Sequence, residues 1–206
     1  MNRTPTVHVV DDDDAVRSSM RLLLKSVGLP TVAYESARDF LAGYDAEQPG
    51  CLVLDVRMPG MSGPELQEEM NRRGAMLPVI FVTGHGDIPM AVEAMQHGAF
   101  DFLQKPFRDQ DLITRVHKAL ELDGLNRTEL REASLIRDRH ESLTPREREV
   151  FQLVTEGKAN KVMAGDLGVS QRTIEIHRAR VMEKMGARSL AQLVRMAMDL
   201  GKSADA

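Results

Sequence analysis

The chain has 206 residues, of which 42% are hydrophobic and 28% charged, a composition typical of a soluble globular protein with apolar cores. Its single cysteine excludes an intramolecular disulfide and fits a reducing cytosol. No apolar run approaches the roughly 20 residues that span a bilayer, and the N-terminus has no signal-peptide pattern. We therefore expect a cytoplasmic protein with no membrane partner.

The net charge of -4 is divided unevenly along the chain. Residues 1–121 carry 12 Lys and Arg against 18 Asp and Glu, and residues 143–206 carry 11 against 8. The intervening residues 122–142 carry 4 against 5. An acidic front part and a mildly basic back part indicate two domains with different partners, joined by a linker. We place these three segments at 1–121, 122–142 and 143–206.

The front part alternates strand and helix patterns. Short apolar runs predict strands at 6–10, 30–34, 51–55, 78–83 and 99–103. Helical spacing predicts a helix from Val16 to Gly28 and further helices at about 36–43, 63–73, 87–97 and 109–121. Continuous apolar strands alternating with helices predict an α/β fold, a doubly wound five-stranded parallel sheet covered on both faces.

Polar side chains stand where these predicted strands end. Asp11 and Asp12 follow the first strand, Asp55 ends the third, Thr83 ends the fourth and Lys105 follows the fifth. Ligands bind at the carboxyl ends of parallel strands, and three carboxylates meeting there need a cation. All-oxygen ligands favour Mg2+. A lysine and a hydroxyl beside metal-bound carboxylates predict phosphoryl transfer onto a carboxylate.

The runs "VVDDDDAVR", "LDVRMPGMSG", "FVTGHGD" and "FDFLQKPF" resemble the receiver domain of bacterial two-component response regulators over residues 5–120. The resemblance implies a flavodoxin-like receiver with Asp55 as phosphoacceptor. It also implies that Asp12, Asp55 and the main-chain carbonyl of Arg57 bind Mg2+ directly, while Asp11 acts mainly through water. Lys105 is then expected to pair with the phosphoryl group.

The same resemblance implies a switch pair and a cis peptide bond. Thr83 is expected to move toward the phosphoryl oxygen while the ring of Phe102 turns inward. Lys105–Pro106 is expected to be cis. Within the acidic run, we predict Asp14 as the N-cap of the first helix. Asp13 lies at the rim, where it either contacts the kinase or is merely solvated.

The segment 122–142 is charged and carries scattered leucines. Their spacing is compatible with a partly exposed helix but too irregular for a coiled coil. Two interpretations remain open: a partly helical connector whose packing changes on activation, or a passive spacer.

The back part predicts four short helices. Thr144, Pro145 and Glu147 form the signature of a helix start with a capping box. Ser170 precedes a second clear helical run, "QRTIEIHRARVMEKM", and Ser189 precedes the last one. A short helix, a glycine turn and a helix with exposed cations predict a helix-turn-helix, here in an all-α four-helix domain.

The run from Leu143 to Val194 resembles the LuxR/NarL-type helix-turn-helix domain, which we place at about residues 143–201. Together with the receiver, the chain most resembles FixJ-type regulators. The scaffold helix departs from that family's pattern, since Ala159 and Val162 stand where Ser or Thr and Glu are usual. We expect Asn160 to cap this helix instead.

One face of the helical run after Ser170 is expected to contact DNA. Arginine can bind guanine, glutamate can accept from cytosine and isoleucine can contact a thymine methyl, whereas other cations bind phosphates. The predicted DNA-binding residues are Arg172, Glu175, Ile176, Arg178, Ala179, Arg180 and Lys184.

These patterns together predict a phosphorylation-activated transcription regulator. Its expected partners are a sensor histidine kinase, double-stranded promoter DNA and RNA polymerase, with homodimerisation on phosphorylation and an activating role. Release of an inhibitory contact between domains is an alternative means of switching. Two rival functions are a haloacid-dehalogenase-type phosphatase, in which Asp11 would be the nucleophile, and an interaction protein that works without phosphorylation.

Overall fold

A computed structural model of the chain describes residues 3–84, 92–93 and 95–202. Within this range the chain forms two compact units, one ending at Arg127 and the other beginning at Thr128. The predicted helix at 87–97 includes residues outside the described range. No helix in the described part of the chain is both long and apolar enough to cross a membrane.

The first unit is built on a five-stranded parallel sheet. Its strands are β1 (Thr6–Val10), β2 (Thr31–Tyr34), β3 (Gly50–Asp55), β4 (Val79–Thr83) and β5 (Asp101–Gln104). They lie in the order β2-β1-β3-β4-β5, and every neighbouring pair is parallel. The helices of this unit are α1 (Asp14–Ser26), α2 (Ala37–Gly43), α3 (Gly63–Arg72) and the beginning of α4 (Asp109–Glu141). The predicted doubly wound α/β fold is confirmed.

Helices cover both faces of the sheet, which explains the unbroken apolar strands. Every residue of β3 is buried. Because successive side chains of a strand point to opposite faces, Leu52 and Leu54 pack into one core with α2 and α3. Cys51 and Val53 pack into the other core with α1 and α4.

Helix α4 extends beyond the predicted helix at 109–121 and includes residues 122–141 of the predicted linker. A buried ion pair attaches the part of α4 just beyond residue 121 to the first unit. Asp123, 1% exposed, accepts hydrogen bonds from the main-chain N–H of Gly50 at 2.9 Å and from Nε of Arg127 at 2.9 Å. Arg127 also donates to the carbonyl oxygen of Gln48 at 2.9 Å. These contacts keep α4 within the first compact unit as far as Arg127.

The second unit contains the end of α4 and four further helices, α5 (Pro145–Thr155), α6 (Asn160–Asp166), α7 (Gln171–Met185) and α8 (Leu190–Lys202). The capping box of Thr144 and Glu147 and the cap of Ser170 form as predicted. The prediction for Asn160 is wrong. The N-cap of α6 is Ala159, whose methyl side chain can make no cap bond. Asn160 is the first residue of the helix, and its side chain accepts from Nη1 of Arg178 at 2.8 Å.

Candidate phosphoacceptor site and nucleic-acid interface

The carboxyl edge of the sheet gathers the polar residues that follow the strands. Asp11 comes directly after β1, Asp55 and Thr83 are the last residues of β3 and β4, and Lys105 follows β5. The ammonium of Lys105 lies between two carboxylates. It donates to Oδ2 of Asp11 at 2.8 Å and to Oδ1 of Asp55 at 2.7 Å. These three side chains thus form one connected charged site.

Burial and hydrogen bonds together shift the pKa values of Asp55 and Lys105. Asp11 is 1% exposed and Asp55 8% exposed. Burial raises the pKa of the Asp55 carboxyl, and the hydrogen bond from Lys105 opposes that effect. Burial alone would lower the pKa of Lys105, but its hydrogen bonds to Asp11 and Asp55 outweigh burial and raise it. Lys105 is therefore held as a cation beside the two carboxylates.

Main-chain contacts fix the position of Asp55. Its Oδ2 accepts a hydrogen bond from the main-chain N–H of Arg57 at 2.8 Å. The start of α3 approaches so closely that a Cβ on Gly63 would lie 2.3 Å from the Asp55 carbonyl oxygen. The Gly63 N–H donates to the carbonyl oxygen of Val56 at 3.0 Å. Only glycine fits at this approach, which braces the loop behind Asp55.

The four consecutive aspartates have different roles, and one prediction about them is wrong. The N-cap of α1 is Asp13, whose Oδ1 accepts from the main-chain N–H of Ala15 at 2.8 Å and of Val16 at 3.2 Å. Asp14, predicted as the cap, is instead the first residue of the helix, because α1 begins two residues before Val16. Its carboxylate pairs with Arg17 at 3.1 Å.

Sequence reasoning did not identify Arg17 as a part of this site. Its Nη1 donates to the carbonyl oxygen of Asp11 at 2.8 Å, and its side chain is only 14% exposed. The main-chain N–H of Asp13 donates to Oδ1 of Asp11 at 2.9 Å. These contacts hold the loop that carries Asp11 and the exposed Asp12. The only sequence signal was the position of an arginine one turn into the first helix.

The oxygen-rich edge suits a hard cation. Asp11 and Asp55 present carboxylates there, Asp12 is exposed beside them, and the predicted main-chain ligand of Arg57 follows Asp55 by two residues. All of these donors are oxygens, as Mg2+ requires. In the part of the chain that the structure describes, no three His, Cys, Asp or Glu side chains are grouped closely enough to hold a metal by themselves. The predicted set needs only two direct carboxylates, since a carbonyl oxygen and waters complete it.

The predicted switch residues lie on the neighbouring strands β4 and β5. Thr83 is fully buried; its hydroxyl donates to the carbonyl oxygen of Gly84 at 3.2 Å, and its own carbonyl accepts from the Lys105 N–H at 2.7 Å. Phe102 is half-buried against the core and pairs in register with Phe81. The Lys105–Pro106 peptide is cis, as expected.

In the second unit, α6 and α7 form the predicted helix-turn-helix, and α7 exposes most of the predicted DNA-binding residues. The exposed members are Arg172, Glu175, Ile176, Ala179 and Arg180. Arg172 and Glu175 form an ion pair one turn apart at 3.2 Å. Ile176 is 44% exposed, so its apolar side chain is accessible on this face. This face therefore offers charge, hydrogen-bonding groups and an apolar contact together.

Two of the predicted DNA-binding cations are engaged inside the domain. Arg178 is half-buried and bonded to Asn160. The ammonium of Lys184 donates to Oε2 of the buried Glu147 at 2.6 Å. This hydrogen bond, with that from the Thr144 N–H, lowers the pKa of Glu147 to about 2. A phosphate contact by Lys184 would have to compete with this ion pair.

Comparison with known proteins assigns a family to each part of the chain. Residues 7–117 match the family described as "Response regulator receiver domain", and residues 141–197 match "Bacterial regulatory proteins, luxR family". The chain is 50% identical to the transcriptional regulatory protein FixJ of Azorhizobium caulinodans, over 95% of this chain and 92% of that protein. It is 49% identical to nodulation protein W of Bradyrhizobium diazoefficiens, over 97% of this chain and 88% of that protein.

Solved structures show the same two-part architecture. The response regulator StyR aligns with a TM-score of 0.88 at 45% identity, covering 95% of this chain and 98% of that one. Full-length FixJ from B. japonicum aligns with a TM-score of 0.59 at 42% identity, covering 98% and 99%.

Proposed function

This chain belongs to the FixJ-type response regulators of two-component systems, and from that premise we propose that Asp55 is its phosphoacceptor. Regulators of this kind are phosphorylation-dependent transcription factors, and this protein is one of them. The exposure of Asp55 carries the assignment: its side chain is 11% exposed against 1% for Asp11, while the Lys105 ammonium lies within 2.8 Å of both. Receiver function falls to the first unit and DNA binding to the second.

The chemistry is transfer of a phosphoryl group from a phosphohistidine of a sensor kinase. An Asp55 carboxylate oxygen attacks phosphorus, the O–P bond forms, the P–N bond breaks and the imidazole leaves with the electron pair. Lys105 offsets the negative charge that develops on the phosphoryl oxygens, and the hydroxyl of Thr83 becomes available to a phosphoryl oxygen afterwards.

Receiver domains generally bind Mg2+, and we propose that this one does so through Asp12, Asp55 and the Arg57 carbonyl, with Asp11 acting through water. The bound ion would neutralise charge on the transferring group. The chain's own residues do the rest: Arg17 and the Asp13 N–H orient Asp11, and the Arg57 N–H orients Asp55.

A phosphatase with Asp11 as nucleophile is the main rival, because "VVDDDD" contains Asp-x-Asp after a strand. Accessibility favours Asp55 instead. The Asp11 side chain is 1% exposed and that of Asp55 11% exposed. The protein would thus act as a regulator and not as an enzyme with turnover of its own.

Labelling with acetyl phosphate and Mg2+, followed by mass spectrometry, tests the assignment. We expect one labelled aspartyl peptide containing Asp55, and no label in Asp55→Asn or Asp12→Asn. Asp13→Asn is the matched control, because asparagine also caps helices and should leave labelling nearly unchanged. Label retained on Asp11 in Asp55→Asn would refute the phosphoacceptor assignment.

Downstream, phosphorylation would pair two copies of the protein on a twofold-related promoter site, recruit RNA polymerase and activate transcription in the cytoplasm. The exposed face of α7 would read the DNA. Sedimentation with and without acetyl phosphate tests the pairing, and footprinting of genomic DNA tests the binding. A phosphorylated protein that binds DNA but remains monomeric, with or without DNA, would contradict the pairing.

A further inference from the structure

The last turn of α4 holds the C-terminal end of α7. Nη1 of Arg139 donates a hydrogen bond to the carbonyl oxygen of Met185 at 3.1 Å. Met185 is the final residue of α7, and Gly186 ends the helix in a left-handed conformation with φ of 65°. A Cβ on Gly186 would lie 2.8 Å from Nη1 of Arg139, so the guanidinium fills the space beside this glycine.

This contact satisfies a general need of helix ends. The last carbonyl groups of a helix have no partner within the helix, and their dipoles concentrate negative charge there. A guanidinium is a permanent cation with several donors in a fixed plane, which suits such a site. Lys184 adds a second link, because its ammonium also donates to the carbonyl oxygen of Ser142 at 3.3 Å, just beyond α4.

The end of α4 is itself anchored in the core of the second unit. Ile136 packs against that core, and Leu143, two residues beyond α4, is 2% exposed within it. The His140 ring meets the Phe151 ring edge-on at a centroid distance of 5.1 Å. The segment that carries Arg139 is therefore held in place, and its hydrogen bond holds the C-terminal end of α7 in turn.

We infer that Arg139 is a positioning residue for DNA recognition, acting on base reading through the C-terminal end of α7 and not by touching DNA. The inference rests on the proposed DNA-binding role of α7. The middle of α7 is held separately, by the bond between Arg178 and Asn160 of α6. The C-terminal end is held by Arg139, by Lys184 and by the buried Val181 and Met185. Removing the Arg139 contact loosens that end, and the exposed face with Ile176 and Ala179 then shifts relative to the bases.

The expected consequence concerns specificity more than total affinity. Non-specific binding comes from phosphate contacts and tolerates small shifts, whereas base contacts require fixed geometry. Arg139→Ala should lower the ratio of specific to non-specific affinity about tenfold, the size of one lost base-pair contact. Arg139→Lys keeps the charge and can still donate a hydrogen bond to the Met185 carbonyl oxygen, so it should recover part of the ratio.

Arg137→Ala is the matched control, because it removes the same charge from an exposed position on the same helix. The full-length protein is treated with acetyl phosphate and Mg2+, and a duplex is selected from a random-sequence library with the wild-type chain. Dissociation constants for the labelled selected duplex and for a shuffled duplex are then measured by fluorescence anisotropy. Circular dichroism at 222 nm confirms that each variant is folded at the assay temperature.

The inference is supported if the affinity ratio of Arg139→Ala falls well below that of Arg137→Ala while the shuffled duplex binds both equally. Equal ratios overturn it, including the case in which Arg139→Ala only lowers the melting temperature. If Arg139→Ala is unfolded, Arg139→Lys is compared with Arg137→Lys, and equal ratios again overturn the inference. If the wild-type protein selects no duplex at all, the proposed DNA-binding function fails first, so the two failures are distinguishable.

Discussion

Replacement of His8 by phenylalanine should remove a large part of the acid sensitivity of the first unit. His8 lies in the centre of β1 and is 4% exposed. Its ring stacks on Tyr34 and meets Phe40 and Tyr44 edge-on. Nδ1 lies 3.3 Å from the Tyr34 hydroxyl, and Nε2 is buried with no hydrogen-bond partner among the described residues. The described structure gives His8 no acidic partner that would stabilise a charged imidazolium.

Burial lowers the pKa of His8 from 6.5 to about 4. The native state therefore holds His8 neutral at a pH at which the unfolded chain would already bind a proton. The resulting stability is present above pH 6.5 and is lost as the pH falls toward 4. The full loss from this difference is about 3.4 kcal/mol, of which about 2 kcal/mol is already lost at pH 5. That is a large part of a typical total stability of about 5–15 kcal/mol.

Urea unfolding between pH 4.5 and 7.5 measures this effect. The chain has no tryptophan and two tyrosines, Tyr34 and Tyr44, both in contact with His8, so tyrosine fluorescence reports on this cluster. The difference in unfolding free energy between wild type and His8→Phe should change by about 2 kcal/mol from pH 7.5 to pH 5, in favour of the variant at low pH. His117→Phe, at an exposed position, should show no such change. A wild-type-to-His8→Phe difference that stays constant with pH would refute the reasoning.

Two further predictions concern close contacts of the first unit. Gly63→Ala should lower the free energy of unfolding by about 1–3 kcal/mol and slow labelling by acetyl phosphate, because its Cβ would collide with the Asp55 main chain. Gly124→Ala is the control, since a Cβ there meets open space. Equal urea midpoints for the two variants would contradict the prediction. Asp123→Ala should cost about 3–5 kcal/mol, because it removes the carboxylate partner of Arg127 and leaves the buried main-chain N–H of Gly50 without its acceptor. Asp123→Asn should lower the unfolding free energy by less than Asp123→Ala does. Urea unfolding followed by tyrosine fluorescence measures both, and equal stability of the two variants would contradict the prediction.

The strand ends, which could be predicted from the sequence, place the site residues at one edge of the sheet. In a parallel sheet all carboxyl ends lie along one edge, so identifying the strands places Asp11, Asp55, Thr83 and Lys105 there. The strand order and the long Lys105 side chain then bring its ammonium to Asp11 and Asp55. Their identification was robust, since buried parallel strands read as unbroken apolar runs. An error of one or two residues at a strand end, as at β5, did not alter which residues follow it.

The roles of Asp13 and Asp14 could not be assigned in this way, because a helix cap depends on the position of a single residue. Either aspartate is a good N-cap by type, and the apolar spacing of α1 locates its face but not its first residue. The structure decides for Asp13 through its bonds to the next two main-chain N–H groups. Asp14 then faces outward and pairs with Arg17.

The full length of α4 could not be predicted from apolar spacing, because polar contacts attach its middle part to the first unit. A helix attached through apolar residues shows periodic spacing, and this pattern fades after residue 121. Asp123 and Arg127, four residues apart, attach the next turn by an ion pair and main-chain hydrogen bonds instead. In the sequence such a pair looks like an ordinary exposed salt bridge. Only the structure shows that the Asp123 carboxylate is buried against the main chain of β3.

The basic surplus of the second unit likewise overstates the charge available to DNA. A helical projection places Arg178 and Lys184 near the exposed face of α7, but long side chains reach around a helix to partners on its other side. Arg178 thus bonds Asn160, and Lys184 neutralises the buried Glu147. Arg172 is balanced by Glu175, which leaves Arg180 as the exposed cation on α7 for which the described structure gives no acidic partner. Recognition by this domain should therefore depend on the orientation of a few side chains more than on its net charge, and that is the property that Arg139 is placed to control.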